Sequence, residues 1–230
     1  MNLTPDLHFT HPSLSDLPQL LTLLNAESLD VRRLQLTADE AFPSLGEARV
    51  KNHWQRAVDT ATSSHQFSPQ ILNDIKIQAT GILNYQPILP AGQLVRDPFN
   101  LKSIEDSSPL EQLQASQLEN ILIGKRHGHI IVAGRVLPVE GSWEIVSIIT
   151  KQEFRGQGLG SALIQELLRH YPQRPLYSFQ KLSLVHFYLK TYQRGKPRIP
   201  AFPELPAALQ RDLFYMNMFW EPNVIIEITE

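Results

Sequence analysis

Residues 144–168 read EIVSIITKQEFRGQGLGSALIQELL, and this stretch decides the fold. Its first part is an apolar, β-branched run that predicts a strand ending at Thr150. Its last part has apolar residues spaced as on one helix face, which predicts a helix from Gly158 that ends before Pro172. A strand, a turn rich in glycine and a helix therefore follow one another directly.

The turn Arg155-Gly156-Gln157-Gly158-Leu159-Gly160 has the features of an anion site. Glycine permits close approach of the backbone, the first amides of a helix have no acceptor within it, and the helix dipole attracts negative charge. Arg155 and Lys151 add positive charge. A purely structural turn can have the same residues, and the glycine spacing fits neither a Rossmann fingerprint nor a P-loop.

Further strands and helices are predicted on both sides of this segment. Upstream, runs at 120–124, 129–138 and 142–150 predict three strands of an antiparallel meander, after a helix at 15–24. Downstream, the pattern predicts strands at 176–179 and 223–229 and helices at 182–192 and 206–214. The fold class expected is a mixed α/β (α+β), mostly antiparallel central sheet flanked by helices.

Composition limits the function classes. A length of 230 residues suits a single domain, and a net charge of -2 argues against nucleic-acid binding. The absence of cysteine excludes disulfides, thiolate zinc sites and a cysteine acyl-enzyme, and the histidines show no metal-ligand spacing. Without a leader or a membrane-length apolar run, we expect a cytoplasmic protein that binds no membrane.

The stretch 144–168 resembles the central motif of the GNAT superfamily of acyl-CoA N-acyltransferases. The family signature, Gln or Arg followed by x-x-Gly-x-Gly or Ala, is met by Arg155, Gly158 and Gly160. The likeness covers about 7–25 and 121–192 and leaves 26–116 as a long, partly helical insert before the second strand. It implies a single GNAT-like domain over 1–230, in which the insert shapes the acceptor site.

The resemblance also implies the cofactor, acetyl-CoA or another acyl-CoA. Amides at the helix start would hold the pyrophosphate, and main-chain groups of the preceding strand would pair with the pantetheine arm, in a gap beside the strand at 176–179. The cofactor-binding residues implied are Ile148, Ile149, Thr150, Arg155, Gly156, Gln157, Gly158, Leu159, Gly160 and Ser161. Valine at Gly158 or Gly160 is expected to abolish binding and leave the fold nearly intact.

Two residues are implied as catalytic. Glu144 has the same spacing from the glycines as the general-base glutamate of histone-acetyltransferase-like members, although a strand glutamate is often only a solvated surface residue. Tyr188 matches the tyrosine of the family's later helix, which acts as a general acid in many members, although such a tyrosine is often a core residue. The family commonly has Gly-Phe where this chain has Tyr192-Gln193.

The function implied is transfer of an acetyl group to the amine of a small molecule or a peptide. Two rival functions are a non-catalytic acyl-CoA-binding or regulatory module, and an acyl-CoA enzyme with another chemistry, such as O-acylation or decarboxylation. Homodimerisation through the C-terminal strand is left open. A basic run suits either a CoA phosphate or solvated surface, and it consists of Lys190, Arg194, Lys196 and Arg198.

Overall fold

The computed structural model describes residues 7–27, 45–63, 67–85, 118–219 and 222–230. Its helices are α1 (Leu17–Glu27), α2 (Leu45–Ser63), α3 (Pro69–Asn84), α4 (Leu159–His170), α5 (Val185–Thr191) and α6 (Ala207–Phe219). Its strands are β1 (Leu7–Thr10), β2 (Ile121–Arg126), β3 (His129–Val139), β4 (Ser142–Thr150), β5 (Leu176–Lys181), β6 (Pro197–Arg198) and β7 (Asn223–Ile228).

The chain divides into two compact units. Unit 1 consists of Met1–Gln35, Asp97–Leu137 and Ile145–Gln173, and unit 2 consists of Leu36–Arg96, Pro138–Glu144 and Arg174–Glu230. A single domain over 1–230 stays a prediction.

Unit 1 contains the meander predicted from the sequence. Its strands lie in the order β1-β2-β3-β4. Between β2 and β3, His127 and Gly128 form a two-residue turn with φ values of 50° and 79°, as hairpin turns that match the twist of a sheet require. The turn places Arg126 opposite His129, so that the two strands run antiparallel.

Helices cover both faces of the sheet in unit 1. On one face, Leu17, Leu20 and Leu23 of α1 form a buried cluster with Ile149 of β4. On the other face, a side chain at Gly134 of β3 would lie within 3.2 Å of α4 and of Ile148, so glycine here allows the helix to approach the sheet closely. Ile148 and Ile149 therefore face opposite sides of the sheet, as alternation along a strand requires.

Unit 2 contains three antiparallel strands in the order β5-β7-β6. Its helix α3 is joined to β7 by Gln78, whose side chain is fully buried. The Gln78 amide accepts a hydrogen bond from Ile225 N at 2.8 Å and donates to Pro200 O at 2.8 Å and to Ile225 O at 3.2 Å. Strand β6 pairs with β7 only at residues 227 and 228, so it offers no hydrogen-bond partner to Ile225. The Gln78 amide supplies the hydrogen bonds that the buried N–H and C=O groups of Ile225 require.

The mixed α/β, mostly antiparallel class is confirmed. The helix expected from Gly158 begins at Leu159 and ends at His170, before Pro172. Two helices, α2 and α3, lie in the insert at 26–116, and the rest of that insert lies outside the described residues. No helix in the described ranges is both long and apolar enough to span a membrane.

Candidate active site

The loop between β4 and α4 requires glycine at two positions. After Thr150, a short 3₁₀ turn at Gln152–Phe154 leads to Gly156 and Gly158, which have φ values of 76° and 79°. Side chains with a Cβ rarely adopt this conformation. The expectation that valine at Gly158 leaves the fold nearly intact is therefore wrong, because it strains the residue that begins the helix.

The N-terminus of α4 presents main-chain donors at this loop. Gly158 is the N-cap residue, and the first hydrogen bond within the helix runs from Ala162 N to Gly158 O at 3.0 Å. The amides of Leu159 and Gly160 precede that bond and point out of the helix end. A side chain at Gly160 would come no closer than 3.6 Å to any neighbour, so the glycine is not required by packing.

The two basic residues predicted beside the loop differ in their contacts. Arg155 donates from Nε to Thr150 O at 3.1 Å, which ties the loop to the end of β4 while the side chain stays exposed. Lys151 pairs with Glu153 at 2.7 Å, and both side chains are about half exposed. The Lys151 ammonium lowers the pKa of the Glu153 carboxyl. Arg155 is thus the stronger candidate for adding positive charge at the helix end.

Main-chain groups near the end of β4 alternate in direction. Lys151 N donates to Ile131 O of β3 at 2.9 Å. Because neighbouring residues in a strand direct their N–H and C=O groups to opposite sides, those of Thr150 and Ile148 point away from β3. The acceptance of the Arg155 hydrogen bond by Thr150 O agrees with this direction.

Glu144 is buried within β4. Its residue surface is 5% exposed, which contradicts a solvated strand glutamate. Buried carboxylates are costly unless they are paired or protonated, and they are rare outside structural networks and functional sites. Its role stays a prediction.

Tyr188 lies on α5 and is nearly buried, at 9% exposure. Burial raises the pKa of Tyr188 to about 12, so the phenol stays protonated at neutral pH. Its hydroxyl forms no hydrogen bond with the part of the chain that the structure describes. The Tyr188 hydroxyl is therefore a protonated hydrogen-bond donor that is not bonded to any other described side chain.

Tyr192, one helical turn after Tyr188, is held in a different way. It is fully buried, its N–H donates to Tyr188 O at 2.7 Å, and the two ring centroids lie 5.6 Å apart. The Tyr192 hydroxyl donates to Ser178 Oγ of β5 at 2.9 Å, and Gln180 Nε2 donates to the same oxygen at 2.5 Å. In the sequence, Tyr192 is only a departure from the family's common Gly-Phe pair, and no local pattern indicates these partners, because they lie in β5, more than ten residues earlier in the chain.

Two of the four residues of the basic run form ion pairs within unit 2. Arg198 pairs with Glu227 and, at 2.7 Å, with Glu204, while Lys196 pairs with Glu230. These ion pairs favour a structural or solvated role for the two residues. No group of three or more histidine and acidic residues that could hold a metal occurs among the described residues.

Comparison with known proteins identifies the class. The sequence model described as "Acetyltransferase (GNAT) family" matches residues 93–192, which include β4, the glycine loop, α4 and α5. The match confirms the resemblance to the GNAT family that the stretch 144–168 predicted. No curated protein matches the chain.

For two similar solved structures, the match covers almost the whole length of both chains. The chain is 14% identical to ribosomal-protein-alanine N-acetyltransferase from Brucella melitensis, with 97% and 99% of the two chains covered and a TM-score of 0.45. It is 11% identical to the PaiA N-acetyltransferase from Thermoplasma acidophilum, described in complex with coenzyme A, with 97% and 99% covered and a TM-score of 0.42.

A third similar structure belongs to a larger protein. It is N-acetylglutamate synthase from Neisseria gonorrhoeae, complexed with coenzyme A and N-acetyl-glutamate, at 13% identity and a TM-score of 0.39. The match covers 56% of this chain and spans only 30% of the synthase chain.

Proposed function

We propose that this protein is an acyl-CoA-dependent N-acyltransferase that moves an acetyl group from acetyl-CoA to a substrate amine. The observation that carries the proposal is the N-terminus of α4, where the Leu159 and Gly160 amides follow two glycines with positive φ inside the family-matched segment. A diphosphate suits such a helix end, because its negative charge meets both the donors and the dipole.

The residues present fit a CoA molecule. Gly160 has no side chain to shield its backbone from a phosphate, and Arg155 adds charge at the same loop. The main-chain groups of Ile148 and Thr150 that point away from β3 are the donors and acceptors proposed for the pantetheine arm. The full set proposed for binding is Ile148, Ile149, Thr150, Arg155, Gly156, Gln157, Gly158, Leu159, Gly160 and Ser161.

The reaction requires two proton transfers. When bound, acetyl-CoA supplies an activated thioester carbon. Glu144 accepts the proton that the amine loses as its nitrogen forms the new C–N bond, and Tyr188 donates its phenolic proton to the sulfur as the C–S bond breaks. The raised pKa of Tyr188, about 12, supports its role as the acid, since the proton is present at neutral pH.

The acceptor is proposed only by class, as a small-molecule or peptide amine. Parts of the insert at 26–116 lie next to the matched segment in sequence and are proposed to shape the acceptor site. A homodimer and a cytoplasmic location stay predictions.

The test is thiol release from acetyl-CoA with a panel of amines, measured on the wild type, Tyr188→Phe and Glu144→Gln. We expect turnover with at least one amine class, and a loss of about 10²–10⁴-fold in kcat for each variant with little change in acetyl-CoA affinity. Binding without turnover on any amine would favour the acyl-CoA-binding module. Turnover with hydroxyl acceptors alone would favour O-acylation. Release of carbon dioxide from a carboxyl-bearing acyl-CoA, with the thioester bond intact, would favour decarboxylation.

A further inference from the structure

Ser147 has a backbone conformation that is unusual for a strand. It lies inside β4, yet its φ value is 58°, in the left-handed region that residues with a Cβ rarely adopt. The other non-glycine residues with positive φ, His127, Glu140 and Lys196, lie in turns or at the end of a short helix. Strain of this kind persists where the surrounding structure enforces it, and it is concentrated at functional sites.

The side chain of Ser147 shows a second, independent departure. Its Oγ is buried and has no hydrogen-bond partner among the described residues. A buried hydroxyl that forms no hydrogen bond is unfavourable, and native proteins satisfy nearly all such groups. Strain and an unsatisfied hydroxyl at one residue point to a partner outside the protein.

The position of Ser147 indicates which partner. It lies three residues before Thr150, and therefore about 10 Å along the strand from the start of the glycine loop. It also lies three residues after Glu144, the proposed base. Under the proposed function, the acyl-pantetheine arm binds along β4 between Glu144 and Thr150. Ser147 lies midway between these two residues.

We propose that Ser147 Oγ donates a hydrogen bond to a carbonyl oxygen of the acyl-pantetheine arm, and that this bond contributes to acyl-CoA binding. The carbonyl groups of that arm are amides and, at its end, the thioester. A serine hydroxyl matches them because it donates one hydrogen bond and rotates to suit its acceptor. The inference rests on the proposed function and adds a side-chain contact to the main-chain contacts of Ile148 and Thr150.

Two substitutions separate the hydroxyl from the strain. Ser147→Ala removes the hydroxyl and keeps the strained φ, whereas Ser147→Gly removes both. We expect acetyl-CoA affinity to fall about tenfold in each, as for the loss of one buried hydrogen bond. Without ligand, the melting temperature of Ser147→Ala should equal or exceed that of the wild type, and Ser147→Gly should also not fall below it, since it relieves strain.

Ser142 offers a matched control in the same strand. It is also buried, at 6% exposure, but its Oγ donates to Val139 O at 2.7 Å. Ser142→Ala should therefore lower the melting temperature of the ligand-free protein and leave acetyl-CoA affinity unchanged, the opposite of the Ser147 variants on both measurements.

Calorimetric titration with CoA and with acetyl-CoA identifies the carbonyl. A loss of affinity for both ligands assigns an amide of the pantetheine arm, and a loss for acetyl-CoA alone assigns the thioester. Unchanged affinity for both ligands in both Ser147 variants would overturn the inference while the wild type still binds, which leaves the proposed function intact. Absence of binding by the wild type would instead overturn the proposed function, and the inference with it.

Discussion

The hydroxyl of Tyr192 donates to Ser178 Oγ at 2.9 Å, which fixes the last turn of α5 against β5. The ring of Tyr192 lies 5.6 Å from that of Tyr188, so that the proposed acid packs beside an anchored neighbour. We predict that Tyr192→Phe lowers the free energy of unfolding by about 1 kcal/mol, as for a lost buried hydrogen bond. It should also lower kcat several-fold at unchanged acetyl-CoA affinity, because Tyr188 loses its support.

Tyr177→Phe is the control for that prediction. Tyr177 of β5 is also buried, but its hydroxyl donates to Glu227 at 3.0 Å instead of to Ser178. Its removal should cost stability without changing kcat. Equal kcat values for Tyr192→Phe and the wild type, in steady-state assays, would limit Tyr192 to a structural role.

Gly160→Val should weaken CoA binding, whereas Gly160→Ala should not, because the family signature has glycine or alanine at this position. An added Cβ meets Thr150 Oγ1 only at 3.6 Å, an ordinary contact, and both alanine and valine favour a helix over glycine, so neither variant should be destabilised much. The larger side chain of valine beside the amides should keep a phosphate at a distance. We expect affinity to fall at least tenfold, or about 1.4 kcal/mol, by calorimetry.

A glycine at the other end of β4 is the matched control for Gly160. Gly141 has a φ of 81° and nothing within 4 Å of an added Cβ. Gly141→Ala should lower stability by about 1 kcal/mol through strain alone and leave CoA affinity unchanged. If Gly141→Ala and Gly160→Val lost affinity equally, the effect of Gly160→Val would not report on the helix end.

Stability should fall steeply in alkali, in part because of Tyr188. Its pKa is about 12 in the folded protein, against about 10 for an exposed tyrosine. Between these values the unfolded chain releases a proton that the folded chain keeps, so stability is lost as the pH rises. Urea unfolding at about pH 8 and about pH 11 should show a smaller loss for Tyr188→Phe than for the wild type. Equal losses would contradict the raised pKa.

Gln78→Ala should destabilise the protein by about 2–3 kcal/mol, because it leaves the buried main-chain groups of Ile225 without hydrogen bonds. Gln70 is the control on the same helix, since it is exposed and its side chain donates to Asp74 at 2.8 Å. Its replacement by alanine should change stability by less than about 0.5 kcal/mol. Urea denaturation followed by circular dichroism measures both, and similar values would contradict the role of Gln78.

The sequence predicts the elements whose periodicity is local. The run ending at Thr150 and the apolar spacing after Gly158 locate β4 and α4 within one or two residues, because each pattern reflects burial of one face of its own element. Glycine at 158 likewise corresponds to a real requirement, since its φ is 79°. The resemblance to the family at 144–168 depends on the same contiguous segment.

Features that join distant segments have no local signal. The Gln78 amide acts as a strand partner for Ile225, which lies 147 residues later in the chain. Ser147 lies in an apolar strand pattern, and the neighbouring residues predict neither a positive φ nor a buried hydroxyl. The insert at 26–116 is polar and irregular in sequence, so that its pattern predicts only a partly helical segment, in which the structure has the helices α2 and α3.

The central claim is that the end of β4 and the start of α4 bind a CoA diphosphate. Calorimetric titration of CoA into the full chain, with Gly160→Val alongside, tests it most directly. The account predicts one saturable site in the wild type and at least about tenfold weaker binding in the variant, with a melting temperature close to that of the wild type. Absence of binding by the folded wild type, or equal affinity in the two proteins, would contradict it.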